Sequence, residues 1–170
     1  MSLKVTPNNY NIVDDYAVFE TSKGTTFVID ADDVNKVDKY HWFVSQKGYI
    51  QAMHRENGKR SHIHLHRLIS DCPDNMVVDH INHDLTDNRK SNLRVCTQDE
   101  NMRNRKPDKN SKSGIKGVYP ENGKWRAIIG VNGKSHNIGT YSNINDAIEA
   151  RHKAEKFYYG EYANIQEVTI

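Results

Sequence analysis

Hydrophobic and polar residues alternate in short runs through the first part of the chain, which is the period of half-buried strands rather than of helices. The runs occupy residues 17–19, 25–29, 42–44, 49–52 and 62–65. An Asn57-Gly58 turn signal between the last two favours a hairpin. Residues 31–39 instead fit a short helix that Asp30 or Asp32 could cap. We predict a β-rich N-terminal region over residues 1–61, with Trp42 in its core rather than on a base-stacking surface.

Three histidines alternate near the end of this part of the chain, at His62, His64 and His66. On a single strand they would share one face, which is an arrangement that zinc ligands can take. A strand that turns Ile63 and Leu65 to the core and the histidines to water explains the same pattern. We favour the second interpretation and predict no metal at these histidines.

Two further apolar runs, at residues 77–81 and 92–96, enclose a mostly polar stretch of ten residues. This pattern is typical of a β-hairpin with a long connection. Thr97 and Glu100 have the spacing of a capping box, which predicts that a helix begins there. The predicted order is strand, loop, strand, helix.

The strands and the helix of this segment carry four polar residues that together could cleave a phosphodiester. Asp79 and His80 lie on the first strand, Asn92 begins the return strand, and Asn101 lies about one turn into the helix. Given a local twist, Asp79 and Asn101 can offer oxygen ligands to a hard cation while a neutral His80 takes a proton from water. Asn92 fits a clamp that bonds backbone groups across the loop. The alternative is an ordinary polar hairpin in which Asp79 pairs with Arg94.

The second half of the chain begins with a segment that cannot bury itself, because residues 104–113 contain no apolar side chain except Pro107. We predict an extended basic linker at residues 107–112. Three strand-like runs follow at 117–119, 125–129 and 136–139, separated by Asn-Gly turn signals. A helical pattern then runs from Ile144, with Ser142 or Asn143 as its cap and Gly160 at its end.

Charge is uneven along the chain. Residues 88–116 hold nine Lys or Arg against three acidic residues, a local net charge of +6 in a chain whose total is +2. A solvated face explains such a run, and so does a polyanionic partner.

An apolar fraction of 36% makes one large core unlikely, two cysteines provide no disulfide framework, and no stretch approaches the ~20 apolar residues of a membrane span. The start of the chain lacks the apolar core of a secretory signal, so we expect a cytoplasmic protein.

The spacing of Asp79-His80, Asn92 and Asn101 resembles the HNH nuclease motif of phage and intron-encoded homing endonucleases, over about residues 62–106. The resemblance implies a ββα-metal nuclease core, with Asp79 and Asn101 as ligands of one divalent cation. It also implies His80 as general base and Asn92 as the residue that holds the loop and orients the base. Asn101 stands where many members have histidine, which favours Mg²⁺ or Mn²⁺ over zinc. The chain lacks the Cys-x-x-Cys pairs of zinc-containing members, so no zinc site is expected.

Residues 113–163 resemble the APETALA2-type DNA-binding domain, on Gly114 to Tyr119, the run around Trp125, and residues 138–141. This resemblance implies a three-stranded antiparallel sheet that enters the DNA major groove, with one helix packed behind it. We assign this domain to residues 113–165. The candidate DNA-binding residues lie on the basic flank, on the linker or on this sheet: Arg94, Arg103, Arg105, Lys106, Lys109, Lys112, Lys116, Tyr119, Arg126 and Asn137.

Together these features predict an α+β protein that cleaves double-stranded DNA at selected sites with one divalent cation, bound to DNA as a monomer. We expect it in a bacterial or phage-infected cell. His83 is the alternative general base, although the motif uses the histidine that follows the aspartate. A DNA-binding regulator that keeps the nuclease scaffold without turnover is one alternative function. An RNA-binding or RNA-cutting protein is another, because it would need the same charge pattern.

Overall fold

The fold is a mixed α/β arrangement of small antiparallel sheets and short helices, seen in a computed structural model that describes residues 8–164. The start of the chain and the predicted domain end at residue 165 lie outside these residues. The chain divides into two compact units, one through Gln98 and one from Asp99 onward. Among residues 8–164, no helix has both the length and the apolar character that a bilayer crossing requires.

The first unit opens with a sheet of three strands in the order in which they occur along the chain. These are β1 (Asn9–Val13), β2 (Tyr16–Glu20) and β3 (Thr26–Asp30). The alternation predicted β2 and β3. It missed β1, because most of its side chains are exposed and leave no alternating apolar signal. In this sheet β3 is an edge strand, so one side of its backbone is available to another part of the chain.

A short helical segment and a second three-stranded sheet follow in the first unit. A 3-10 turn at Ala31–Asp33 continues into α1 (Val34–Val37), within the helix predicted at residues 31–39. The second sheet contains β4 (Trp42–Val44), β5 (Ile50–Glu56) and β6 (Lys59–His64) in chain order. The predicted hairpin between β5 and β6 is present, and Asn57 and Gly58 at its turn have the positive φ angles that such a turn requires.

Both sheets share one hydrophobic core, built around stacked aromatic rings. Trp42 is 2% exposed, and its Nε1 donates to the carbonyl of Val37 at 2.9 Å, which confirms Trp42 as a core residue. Leu65 and Ile69 belong to the same core, and Leu93 packs against it. The predicted N-terminal region and the predicted nuclease region are therefore packed together, without a structural division at residue 61.

The alternating histidines do not lie on one strand, which corrects our interpretation that all three face water. The strand ends at His64, and α2 (Leu65–Ile69) begins there. Ile63 and Leu65 do turn to the core, but His66 is on the helix and only 7% exposed. A period-2 pattern cannot show that the backbone changes from strand to helix in the middle of it.

The predicted hairpin consists of β7 (Val77–His80) and β8 (Leu93–Cys96), paired antiparallel with Asp79 opposite Arg94. A 3-10 turn at Lys90–Asn92 leads into β8, and α3 (Gln98–Arg103) follows it. The sequence of elements matches the predicted strand, loop, strand and helix. All of α3 except its first residue belongs to the second unit.

The second unit contains a three-stranded antiparallel sheet with a helix packed on it. Its strands are β9 (Val118–Glu121), β10 (Lys124–Val131) and β11 (Lys134–Tyr141), with β10 in the centre. The helix is α4 (Ile144–Tyr159), and the Oδ1 atom of its cap, Asn143, accepts from the Asn145 amide at 2.8 Å. The predicted three strands, helix and cap are confirmed. That this unit is of the APETALA2 type remains a prediction.

Candidate active site

The last two residues of β7 carry the predicted chemistry. The Asp79 carboxylate Oδ2 atom lies 2.6 Å from Nη2 of Arg94, its partner across the hairpin. The two side chains are only 6% and 12% exposed, so this is a nearly buried ion pair. A buried pair of this kind holds its carboxylate in a fixed position and depends on both partners.

His80 is 4% exposed, and two aromatic rings border its imidazole. The ring centroid of His66 lies 5.3 Å away, edge-on, and that of Tyr49 lies 6.3 Å away. Burial lowers the pKa of His80, while the hydrogen bond to Asn88 and the nearby Asp79 act in the opposite direction. The net effect is a lowered pKa, so the imidazole is neutral at neutral pH. The neutral form is the one that can accept a proton.

Asn92 bonds both sides of the loop between the two strands. Its Oδ1 atom accepts from the amide of Asn82 at 3.0 Å, and its Nδ2 donates to the carbonyl of Asp87 at 2.7 Å. The residue is 6% exposed, so water competes little for these bonds. The loop therefore has a fixed conformation beside His80.

One side-chain partner of His80 is Asn88, a residue that the sequence did not indicate. The Oδ1 atom of Asn88 lies 3.3 Å from Nε2 of His80, and Asn88 is fully buried. Its Nδ2 donates to the carbonyl of Leu85 at 3.1 Å. One asparagine among several in a polar loop gives no sequence signal of this role, because its burial comes from contacts distant along the chain.

Those distant contacts come from the edge of the first sheet. The Val28 amide donates to the carbonyl of Thr86 at 2.9 Å, and the Asn88 amide donates to the carbonyl of Val28 at 2.8 Å. A parallel bridge thus joins β3 to the loop. The Asp30 carboxylate adds a bond by accepting from the Lys90 amide at 2.7 Å.

The alternative base, His83, lies in the same loop with a φ of 63°. Its backbone amide donates to the carbonyl of His80 at 2.9 Å, which closes a turn. Asn82 and Asp84 stabilise the loop next to it, since the Asp84 amide donates to Oδ1 of Asn82 at 2.8 Å. His83 is thus a loop residue, as the sequence analysis favoured.

The fourth motif residue, Asn101, is half-buried on α3 and belongs to the second unit. Asp79, His80 and Asn92 all belong to the first. The donor set of one carboxylate and one amide oxygen fits a hard cation such as Mg²⁺ or Mn²⁺. Within residues 8–164 no three His, Cys, Asp or Glu side chains group as metal ligands. Sharing of one cation by Asp79 and Asn101 remains a prediction.

Several predicted DNA-binding residues already have partners inside the second unit. The Lys116 ammonium donates to the carbonyls of Met102 and Arg103 at the end of α3, and burial lowers its pKa. The Arg103 guanidinium lies over the Tyr159 ring, 5.3 Å from its centroid. Both cations therefore help to hold α3 within this unit.

Other predicted contacts lie at the surface of the second unit. Arg126 pairs with Glu121 at 3.0 Å on the sheet, and Arg105 pairs with Asp108 at 3.2 Å. The remaining predicted contacts in this unit are all exposed: Lys106, Lys109, Lys112, Tyr119 and Asn137. Arg94 differs from all of these, because its pairing with Asp79 places it within the hairpin of the first unit.

Residues 64–103 match the sequence model of the family described as HNH endonuclease. This range contains the hairpin, α3 and all four motif residues. The segment is thus similar to the HNH endonuclease family.

The chain is also similar to two viral proteins. An uncharacterized HNH endonuclease of Acanthamoeba polyphaga mimivirus is 28% identical over 165 residues, which is 92% of this chain and 84% of that protein. Protein 3.8 of Escherichia phage T7 is 26% identical over 96 residues, 55% of this chain and 78% of that protein. The mimivirus similarity extends far beyond residues 64–103 and so includes both units.

A solved structure, of DNA binding and cleavage by the HNH homing endonuclease I-HmuI, is similar over 55% of each chain. Its identity to this chain is 21% and the TM-score is 0.34. This chain therefore spans about half of that protein.

Proposed function

We propose that this protein is a divalent-metal-dependent endonuclease of the HNH homing type that hydrolyses phosphodiester bonds of double-stranded DNA. The observation that carries the proposal is the placement of a buried, neutral His80 beside Asp79, next to a loop fixed by Asn92. The family match of residues 64–103 supports the same chemistry.

In this proposal His80 takes a proton from the attacking water, and its neutral state at neutral pH suits that role. Asp79 and Asn101 would hold the cation. When bound, the cation would withdraw charge from the phosphate and stabilise the departing oxygen. Asn92 keeps the loop in one conformation, so that the base does not have to be ordered at each turnover.

DNA binding would use the basic linker and the sheet of the second unit. Lys106, Lys109 and Lys112 are exposed and close together along the chain, which suits contacts to successive phosphates. Tyr119 and Asn137 are exposed on the sheet, where the resemblance to APETALA2-type domains implies major-groove contacts. The linker would raise the local concentration of the nuclease at DNA.

One observation favours a second candidate, a DNA-binding regulator without turnover. The ion pair with Arg94 occupies the Asp79 carboxylate, as expected for a hairpin whose aspartate has only a structural role. A carboxylate can accept from a guanidinium and still offer oxygen to a cation, so the pair does not by itself remove the metal function.

A plasmid-nicking assay separates the two candidates. We expect supercoiled DNA to be nicked or linearised with Mg²⁺ or Mn²⁺, no cleavage with EDTA, and recovery when the cation is restored. A protein that binds plasmid DNA but leaves it intact with each cation would be a regulator. Duplex DNA and duplex RNA compared as competitors test the nucleic acid, since a sheet fitted to the wide major groove of DNA should not enter the narrow one of RNA.

A further inference from the structure

On the basis of the proposed function, we propose that Asn88 is a positioning residue that keeps the His80 proton on Nε2 and leaves Nδ1 as the basic nitrogen. We further infer that the edge of the N-terminal sheet holds Asn88 in place. The N-terminal region would then have a role in the reaction, as the support of the catalytic loop.

The tautomer follows from the orientation of the Asn88 amide. Its Nδ2 donates to the Leu85 carbonyl at 3.1 Å, and a carbonyl oxygen can only accept, so this contact fixes which end of the amide is nitrogen. The other end, Oδ1, therefore faces Nε2 of His80 at 3.3 Å. Because Oδ1 can only accept, Nε2 must donate. A neutral imidazole has one N–H group, so its lone pair is on Nδ1.

The position of Asn88 is determined by its backbone as well as by its side chain. The Asn88 amide donates to the Val28 carbonyl at 2.8 Å, and the Val28 amide donates to Thr86 at 2.9 Å. Val28 lies on β3, the edge strand of its sheet, so these bonds use the side of the strand that does not pair with β2. The loop thus behaves as an added partner of the sheet over this short length.

A second anchor holds the same loop three residues before β8. The Lys90 amide donates to the Asp30 carboxylate at 2.7 Å. The Lys90 ammonium lies 2.8 Å from the carboxylate of Asp33. Both acids belong to the segment that ends β3 and begins the first helical turn. Val28 and Asp30 therefore hold the loop at two points, Val28 at Asn88 and Asp30 at Lys90. Movement of Asn88 away from His80 would require these bonds to break.

Long-range ¹H–¹⁵N correlation of the histidine rings tests the tautomer without requiring any activity. We expect His80 of the wild-type protein to carry its proton on Nε2 at neutral pH. Asn88→Asp should preserve this tautomer, because a carboxylate also accepts from Nε2. Asn88→Leu, of similar size, should give a mixture of tautomers. A wild-type ring protonated on Nδ1, or an unchanged tautomer in Asn88→Leu, would overturn the proposal.

Cleavage kinetics then connect the tautomer to the reaction. Asn88→Leu should lower kcat by about 10-fold to 100-fold, as is typical when a supporting hydrogen bond is lost, with little change in KM for DNA. Asn88→Asp should recover most of the rate. Equal losses in both variants would mean that Asn88 has only a structural role. If the wild-type protein cleaves no DNA, the nuclease assignment fails while the NMR result still decides the tautomer.

Val28→Pro tests the support from the sheet, and it does not alter the Asn88 side chain. Proline removes the amide that bonds Thr86, and this amide takes no part in the pairing of β3 with β2. We expect a loss of kcat and a mixed His80 tautomer, whereas Val28→Ala, which keeps the amide, should remain close to wild type. A wild-type rate and tautomer in Val28→Pro would show that the sheet edge does not hold Asn88.

Discussion

At the scale of single residues, burial determines the chemistry of the histidines. Burial, followed by the neighbouring His80, His64 and Arg67, lowers the pKa of His66 to about 3. The sequence predicted that His80 would act as a neutral base, but it did not predict that His66 would lie beside it. That contact depends on the helix that begins after His64, and no local pattern indicates it.

The low pKa of His66 predicts a loss of stability in mild acid. In the unfolded chain His66 binds a proton near pH 6.5, whereas in the folded chain it does so only near pH 3. Between these pH values the unfolded state therefore binds more protons than the folded state. The contribution of His66 to the free energy of unfolding is fully present above pH 6.5. It falls by at most about 1.4 kcal/mol per pH unit below it.

Urea unfolding of the wild type and of His66→Gln at several pH values measures this contribution. The difference between the two free energies should shrink as the pH is lowered from 6.5 to 4. Because the carboxylates titrate in both proteins, their effect cancels in that difference. A difference that stays constant across this range would show that His66 is protonated equally in both states.

The ion pair between Asp79 and Arg94 provides a second test at this scale. Arg94→Met leaves a nearly buried carboxylate without its partner, which should cost about 3 kcal/mol of folding free energy. Asp79→Asn combined with Arg94→Met removes both charges and should recover part of the loss. Thermal unfolding of the two single variants and the double variant measures the coupling. Strictly additive losses would contradict a direct pairing.

At the scale of elements, the sequence predicted the parts that local pattern determines. The hairpin of β7 and β8, the start of α3, and the sheet and helix of the second unit each follow from apolar runs, turn residues or caps. The exposed strand β1 left no apolar pattern. The attachment of the loop to Val28 joins positions about sixty residues apart, and single-sequence reasoning has no measure of such pairing.

The glycine at the start of the sheet in the second unit is an element-scale test. Gly117 has a φ of +81°, and a Cβ there would lie 2.5 Å from both Nε of Arg151 and the carbonyl oxygen of Ile128. Gly117→Ala should therefore destabilise this unit, through the backbone cost of about 1–2 kcal/mol and the clash in addition. Hydrogen exchange of the Ala127 amide, in the centre of the sheet, measures the loss.

Gly123 is the matched control for this substitution. It has a similar φ of +73°, but a Cβ there would meet nothing within 4 Å. Gly123→Ala should therefore show the backbone cost alone, and protection of the Ala127 amide should fall less than in Gly117→Ala. Equal losses in the two variants would mean that the contact with Arg151 and Ile128 adds nothing.

At the scale of the whole molecule, the basic linker and the two cations directly before it should account for much of the salt dependence of DNA binding. If Arg105, Lys106, Lys109 and Lys112 each contact a phosphate, they contribute about −3.6 to the slope of log affinity against log salt, at about −0.9 per contact. Replacement of all four by glutamine should make the slope shallower by this amount. Fluorescence anisotropy of a labelled duplex across a salt series measures it.

Four exposed lysines of the first unit form the control set: Lys23, Lys39, Lys47 and Lys59. They lie outside the linker, and their replacement by glutamine removes the same formal charge. We expect the slope of this variant to change much less than that of the linker variant. The same change in both would indicate that net charge, rather than the linker, governs binding.

The most direct test of the catalytic assignment is the single-turnover cleavage rate of His80→Ala on saturating duplex DNA with Mg²⁺ or Mn²⁺, beside the wild type and His83→Ala. We expect His80→Ala to lose about 10²-fold to 10⁴-fold in rate, the usual contribution of a general base, with its Kd for DNA near that of the wild type. His83→Ala should retain most of the rate. Cleavage by His80→Ala at the wild-type rate would contradict the assignment of His80 as the base.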